Sequence, residues 1–247
     1  MSKVWGSDHG LGTSGALGVA LMAALTSYAG KSLPSDLLEL AVAAVEIEQK
    51  SGALGGLQDQ FAAVVGGLNL FRFYGSKHAS KHIMLSYQSK KELEQNMLIL
   101  YPGGNRQSAD IVTGVMKEYQ NGNAGVSSAL LSLDGLASSI IEALESAAWE
   151  KLSYLLRNVR EQQLRLHPDL IDSGNHKIIE DLKNSGIEGV KLLGGGGSGA
   201  CLLVVSVDAE SRKVINNICE MNNVEIIPVQ YAKDGMRVSV NHSVPVI

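Results

Sequence analysis

Gly10-Leu-Gly-Thr-Ser-Gly15 stands between a short apolar piece, Lys3-Val-Trp5, and the apolar run Ala16-Leu-Gly-Val-Ala-Leu-Met-Ala-Ala-Leu25. Strand, glycine turn, then helix: that setting governs how the rest of the chain is read. Glycine lets a backbone curl close around a ligand, and the first turn of a helix offers N–H groups that no helix carbonyl accepts. Together they make an anion site, so Gly10, Leu11, Gly12, Thr13, Ser14 and Gly15 are candidate phosphate contacts. A hydroxyl of Thr13 or Ser14 can also reach a bound Mg²⁺ as an oxygen ligand. The same residues equally describe an ordinary glycine-rich turn with Ser or Thr as helix cap. From this segment alone both readings stand.

Working outward, the periodicity predicts a buried helix from about Thr13 to Ala29. A second runs to Lys50 with Pro34 in its first turn, where Asp36 and Glu39 suit the helix dipole. Near its end lie Glu46 and Glu48, which point to different sides, so at most one faces a site. Gly55-Gly-Leu-Gln-Asp-Gln60 then opens a short helix carrying Asp59 among apolar residues. A carboxylate there is either a helix N-terminal acid or a base held against a substrate hydroxyl. Leu68–Tyr74 and His82–Tyr87 are expected to pair as strands around Gly75-Ser-Lys. Met97–Tyr101 reads as a strand, and helices are expected over about 108–119, 125–144 and 147–163. Ser173 is expected to cap a helix reaching Asn184. Strand and helix alternate at the end: Val190–Leu193, Ala200–Val207, Ala209–Met221, Val224–Pro228 and Met236–Val240.

Two later segments carry chemistry. Gly194, Gly195, Gly196 and Gly197 sit between apolar strands, where a flexible linker has no use and a close approach to a ligand or another backbone does. In Tyr101-Pro-Gly-Gly-Asn-Arg-Gln-Ser-Ala-Asp110, Arg106 can clamp a phosphate with two N–H donors or pair with Asp110 four residues on. Composition bounds the alternatives. With 247 residues, 45% hydrophobic and 19% charged, the chain can bury a core, and a net charge of -4 argues against nucleic acid as a partner. Cys201 and Cys219 offer no disulfide framework, so a reducing compartment is expected. The run at 16–25 is too short to span a membrane and lacks a basic region before it, so no membrane role and a cytoplasmic location are expected. The fold class expected is α+β, changing character near residues 90–96.

The order of these motifs resembles the GHMP kinase superfamily. Gly10-Leu-Gly-Thr-Ser14, the Glu48 and Asp59 pair and Lys191-Leu-Leu-Gly-Gly-Gly-Gly197 carry the general likeness. Gly56-Leu-Gln-Asp-Gln60 and Gly103-Gly-Asn-Arg-Gln-Ser-Ala-Asp-Ile111 are similar to the branch of D-glycero-D-manno-heptose 7-phosphate kinases and fucokinases. The resemblance implies a two-domain fold, 1–92 as an incomplete N-terminal domain with the phosphate-binding loop and 93–247 as a C-terminal ferredoxin-like α/β sandwich. It implies ATP and Mg²⁺ as cofactors, with the glycine turn and Gly194–Gly197 binding nucleotide. Ser14 and Glu48 then hold the metal, Asp59 is catalytic, and Arg106 and Ser108 contact a sugar substrate.

Family members carry a segment before the glycine turn. The resemblance therefore implies either a sequence truncated before the turn or a further chain supplying that segment, with a homo-oligomer as the other partner expected. Its alternative is an inactive GHMP-like module acting as an interaction or regulatory protein. Gly15 stands where the family has Ser or Ala, a change expected to loosen the helix start mildly.

Overall fold

In the computed structural model, which describes residues 10–51, 55–75, 77–103 and 109–239, the run after the glycine turn is helix α1, Thr13–Tyr28. Helices α2, Leu38–Lys50, and α3, Gln58–Val65, pack against it. Strands β1, Asn69–Tyr74, and β2, Lys77–His82, form an antiparallel hairpin. Val19 of α1, Ala41 and Ala44 of α2, and Phe61 and Val64 of α3 build one core, with Phe71 and Phe73 packed on it. The Phe61 ring meets both of those rings edge-on, centroids 5.8 and 5.1 Å away, the arrangement that ring quadrupoles favour.

A late segment joins the same unit. Gly67 N–H donates to the Ala232 carbonyl at 2.7 Å and Met236 N–H to that of Val64 at 3.1 Å. Here the backbones cross so tightly that a Cβ on Gly235 would lie 2.0 Å from the Val64 oxygen. One compact unit therefore takes Gly12–His82 together with the segment from Ala232 onward, and the other takes Ile83–Tyr231.

The second unit runs through α4, Tyr87–Asn96, and β3, Met97–Tyr101, then through α5, Ala109–Gln120, α6, Ala124–Glu145, and α7, Trp149–Leu166. A 3₁₀ turn at Pro168–Leu170 leads to α8, Ser173–Asn184, then β4, Val190–Leu192, β5, Leu202–Val205, α9, Ala209–Met221, and β6, Glu225–Pro228. Its four strands are antiparallel in the order β4-β5-β3-β6. The first strand thus lies inside the sheet, between the β4–β5 hairpin and the last strand, which is the ferredoxin-like arrangement. Alternate residues Leu98, Leu100, Val190, Leu192, Leu202 and Val204 fill one face. Ile178, Ile179 and Leu182 of α8 and Ile215 and Ile218 of α9 cover them, the period of two expected of strands.

Strand β4 is an edge, and side chains of α7 occupy it. Gln163 donates its amide to the Leu192 carbonyl and accepts the Leu192 N–H, both at 3.1 Å, as a neighbouring strand would. Arg160 donates to the carbonyls of Glu188 and Val190 at 3.0 and 3.2 Å. Burial pulls its guanidinium below the ordinary value, while the Glu188 carboxylate acts in the opposite sense. Gln163→Ala leaves a carbonyl and an N–H of Leu192 unmet and is expected to cost about 1–3 kcal/mol, measured by urea denaturation.

Five local expectations need correction. Helix α1 buries only Gly15, Val19 and Ala23; Leu17, Leu21, Leu25 and Tyr28 are exposed, because only the face toward α2 and α3 is packed. Helix α2 starts at Leu38 rather than near Pro34, since the Asp36 carboxylate accepts the Leu38 N–H at 2.9 Å and fixes the start there. The partner of β1 is the polar Lys77–His82, paired directly across Gly75, whose φ of 62° suits the tight turn. Asp172, not Ser173, caps α8 by accepting the Asn175 N–H at 2.8 Å. Residues 236–239 form no strand; Met236 bonds instead to the end of α3. The expected strand at Lys3–Trp5, and Arg106 with Ser108, lie outside the described residues.

Candidate phosphate-binding and catalytic site

The glycine turn takes a conformation that glycine adopts without steric penalty: φ is 74° at Gly10 and 71° at Gly12. Gly12 is the N-cap of α1, no side-chain hydrogen bond caps that end, and no acidic residue stands in the first turn. The first N–H groups of α1 stand at the positive end of the helix dipole, where an anion is favoured.

Three helices bring the side chains together. Ser14 Oγ on α1 donates to Glu48 Oε1 on α2 at 3.1 Å. Gln60 Nε2 on α3 donates to the other Glu48 oxygen, Oε2. A Cβ on Gly15 would lie 2.8 Å from Asp59 Cβ and 3.1 Å from the Gln60 nitrogen, and one on Gly12 would lie 3.2 Å from Asp59 Cγ. The glycines therefore let α1 ride directly over the start of α3. Gly15 is buried there, so its smallness serves packing, and the mild loosening expected from sequence is the lesser part of its role. Glu46 is exposed, and the acid directed at Ser14 is Glu48.

Sequence reasoning missed Gln60. It is buried among apolar residues of α3, with its Oε1 lacking a hydrogen-bond partner among the described residues. An amide on the apolar face of a short helix was the available signal. Ser14 and Glu48 present oxygen only, which suits Mg²⁺, an ion commonly held by one or two carboxylates together with substrate phosphates. Among the described residues no group of three or more His, Cys, Asp or Glu forms a self-standing metal cage.

Gly194–Gly197 belongs to the other unit, in the β4–β5 connection. Gly194, Gly196 and Gly197 have φ of 62°, 72° and 87°. Gly197 N–H donates to the Leu170 carbonyl at 2.9 Å, and a Cβ on Gly196 would meet that same oxygen at 2.6 Å. The close approach inferred for these glycines is thus, at Gly196, to the 3₁₀ turn. Just before them, Lys191 sits in β4 between Val190 and Leu192 and pairs across the sheet with Leu203. Desolvation lowers its ammonium to about 8.

Comparison with known proteins follows the same line. Residues 7–67 match the family described as GHMP kinases N terminal domain. The D-glycero-alpha-D-manno-heptose 7-phosphate kinase of Campylobacter jejuni is 30% identical over 155 residues, 61% of this chain and 44% of that protein. The bifunctional fucokinase/GDP-fucose pyrophosphorylase of Arabidopsis thaliana is 26% identical over 227 residues, 88% of this chain and 21% of that protein. The chain spans less than half the length of these two curated relatives. In fold, the crystal structure of a D-glycero-D-manno-heptose 1-phosphate kinase from Bacteroides thetaiotaomicron matches with a TM-score of 0.66 at 19% identity, covering 96% of this chain and 66% of that one. L. major mevalonate kinase in complex with R-mevalonate matches at 0.63 and 22% identity, covering 89% and 66%. Residues 7–67 thus carry the match to the GHMP kinase N-terminal domain, and the two-unit fold is similar to that of the sugar and mevalonate kinases compared with it.

Proposed function

We propose that this chain carries the phosphate-binding and catalytic part of an ATP-dependent kinase that phosphorylates a hydroxyl of a sugar or sugar phosphate. The observation carrying the proposal is the Ser14–Glu48 hydrogen bond at 3.1 Å, formed at the start of α1, which packs on Asp59 through Gly15. The α1 N–H groups and the Gly10–Gly15 backbone receive the nucleotide phosphates. Ser14 and Glu48 hold Mg²⁺, which when bound neutralises charge on the transferred phosphoryl group. Gln60 fixes the orientation of the Glu48 carboxylate. Asp59 orients the attacking hydroxyl and takes its proton. Most of the acceleration comes from positioning and fixed charge rather than covalent chemistry. The heptose 7-phosphate and fucose kinases among the relatives support a sugar acceptor.

Calorimetry on the chain tests the reading. Mg·ATP is expected to bind saturably, and Glu48→Gln to weaken that binding about tenfold, as loss of a metal-holding group does. With EDTA present the two proteins are expected to bind ATP alike. Absence of any binding heat in the unaltered chain overturns the proposal in favour of a non-catalytic module. Turnover with heptose 7-phosphate or fucose above that with galactose supports the acceptor class; galactose preferred over both overturns it.

A further inference from the structure

Two donors hold the Glu48 carboxylate, one at each oxygen. Oε1 accepts from Ser14 Oγ on α1, 3.1 Å away, and Oε2 accepts from Gln60 Nε2 on α3. The two donors differ in what they leave behind. Ser14 is exposed and a hydroxyl turns its proton freely, so its oxygen and Glu48 Oε1 can both face a bound ion. Gln60 is only 3% exposed, so water does not compete with its amide for Oε2.

Packing alone does not account for an amide at position 60. The other buried side chains of α3 are Phe61 and Val64, and Gln60 Oε1 has no hydrogen-bond partner among the described residues. Buried acceptors nearly always find a donor. An apolar side chain of the same length would fill the space and leave no acceptor unmet. What glutamine adds is an N–H at Glu48, and it adds it without charge. A lysine or arginine there would hold the same oxygen and also cancel the negative charge that attracts a cation.

We propose that Gln60 makes Glu48 a one-oxygen ligand and thereby sets the site for Mg²⁺ against Ca²⁺. The inference rests on the kinase reading, in which Ser14 and Glu48 hold the ion. With Oε2 engaged by the buried amide, only Oε1 is left to a cation. The two oxygens of one carboxylate lie too close together to fill adjacent corners of the octahedron that Mg²⁺ demands, at about 2.0–2.1 Å. Ca²⁺, with about six to eight ligands at about 2.3–2.6 Å, takes both in many of its sites. Holding back one oxygen therefore leaves Mg²⁺ its ligand and deprives Ca²⁺ of one. Gln60 acts through Glu48 and is a positioning residue.

Calorimetry on the full chain tests it, with ATP and either MgCl₂ or CaCl₂ in excess. The unaltered chain is expected to bind Mg·ATP about tenfold more tightly than Ca·ATP, or better. Gln60→Met keeps the side-chain length and frees Oε2. The preference for Mg²⁺ is then expected to fall about tenfold, the usual weight of a group that orients a metal ligand. Ser14→Ala removes a ligand without freeing Oε2, so both complexes are expected to weaken and the preference to stay. Were Gln60 only a tie between α2 and α3, Gln60→Met would unfold at lower urea with its preference unchanged. That outcome, or equal binding of the two complexes by the unaltered chain, overturns the proposal and leaves the kinase reading standing. Absence of binding by either complex overturns the kinase reading and this inference with it. Should Gln60→Met fail to fold by circular dichroism, Gln60→Asn, whose amide stops one methylene short of Oε2, is read by the same criteria.

Discussion

Asp59→Asn is expected to lower kcat for ADP formation by about 10²–10⁴-fold, the contribution of a positioned proton acceptor. The substitution keeps the Cβ that packs beneath Gly15 and removes only a charge and its basicity. Asp59 is exposed in the first turn of α3, so stability should fall by no more than about 1 kcal/mol, the worth of an acid at a helix start. A coupled ADP assay alongside thermal melting checks both halves. Turnover at the unaltered rate removes Asp59 from the chemistry, and with it the account of how the acceptor hydroxyl loses its proton.

Gly235→Ala is expected to cost about 3 kcal/mol or more, at the upper end of overpacking effects. The added Cβ would stand 2.0 Å from the Val64 oxygen and 2.5 Å from its carbon. Both neighbours are backbone, so no rotamer change relieves the contact. From the other side, a Cβ on Gly66 would lie 2.2 Å from the Gly235 nitrogen. Gly30→Ala is the control: φ there is 68°, but nothing lies within 4 Å of the added atom, so only the conformational cost of about 1–2 kcal/mol applies. Urea denaturation of the two variants separates them, and equal losses would mean that the crossing is not what holds this segment.

Much of this architecture was legible because it rests on local patterns. The apolar run after Gly15, the periodicity of 209–221 and the short apolar strands at 97–101 and 202–205 declared themselves by spacing. The glycine turn, Glu48 and Asp59 were legible as chemistry, and their meeting was implied by the resemblance alone, since no local pattern shows α1 crossing α3 at Gly15. Lys77-His-Ala-Ser-Lys-His82 was hidden because every residue but one is polar, and its strand state comes from pairing with β1. Helix α4 was hidden by its polar surface; Leu93 is its one buried residue. Gln60 drew no notice because a buried amide is informative only once its acceptor, Glu48, is known. The seat of residues 232–236 against α3 is a contact between distant parts of the chain, beyond anything a local window contains.

That last contact bears on how the protein is made. The unit holding the glycine turn needs Ala232 and Met236 for its completion, while roughly 150 residues of the other unit intervene. At ribosomal rates of about 5–20 residues per second, α1 to β2 wait roughly 7–30 s for the stretch of backbone that closes them. During that interval the end of α3 offers an unmet Val64 carbonyl and a bare glycine surface to whatever is nearby. The nascent stretch from α1 to β2 is thus the stage at which chaperone contact matters most, and its packing is completed only once residues 232–236 have been made.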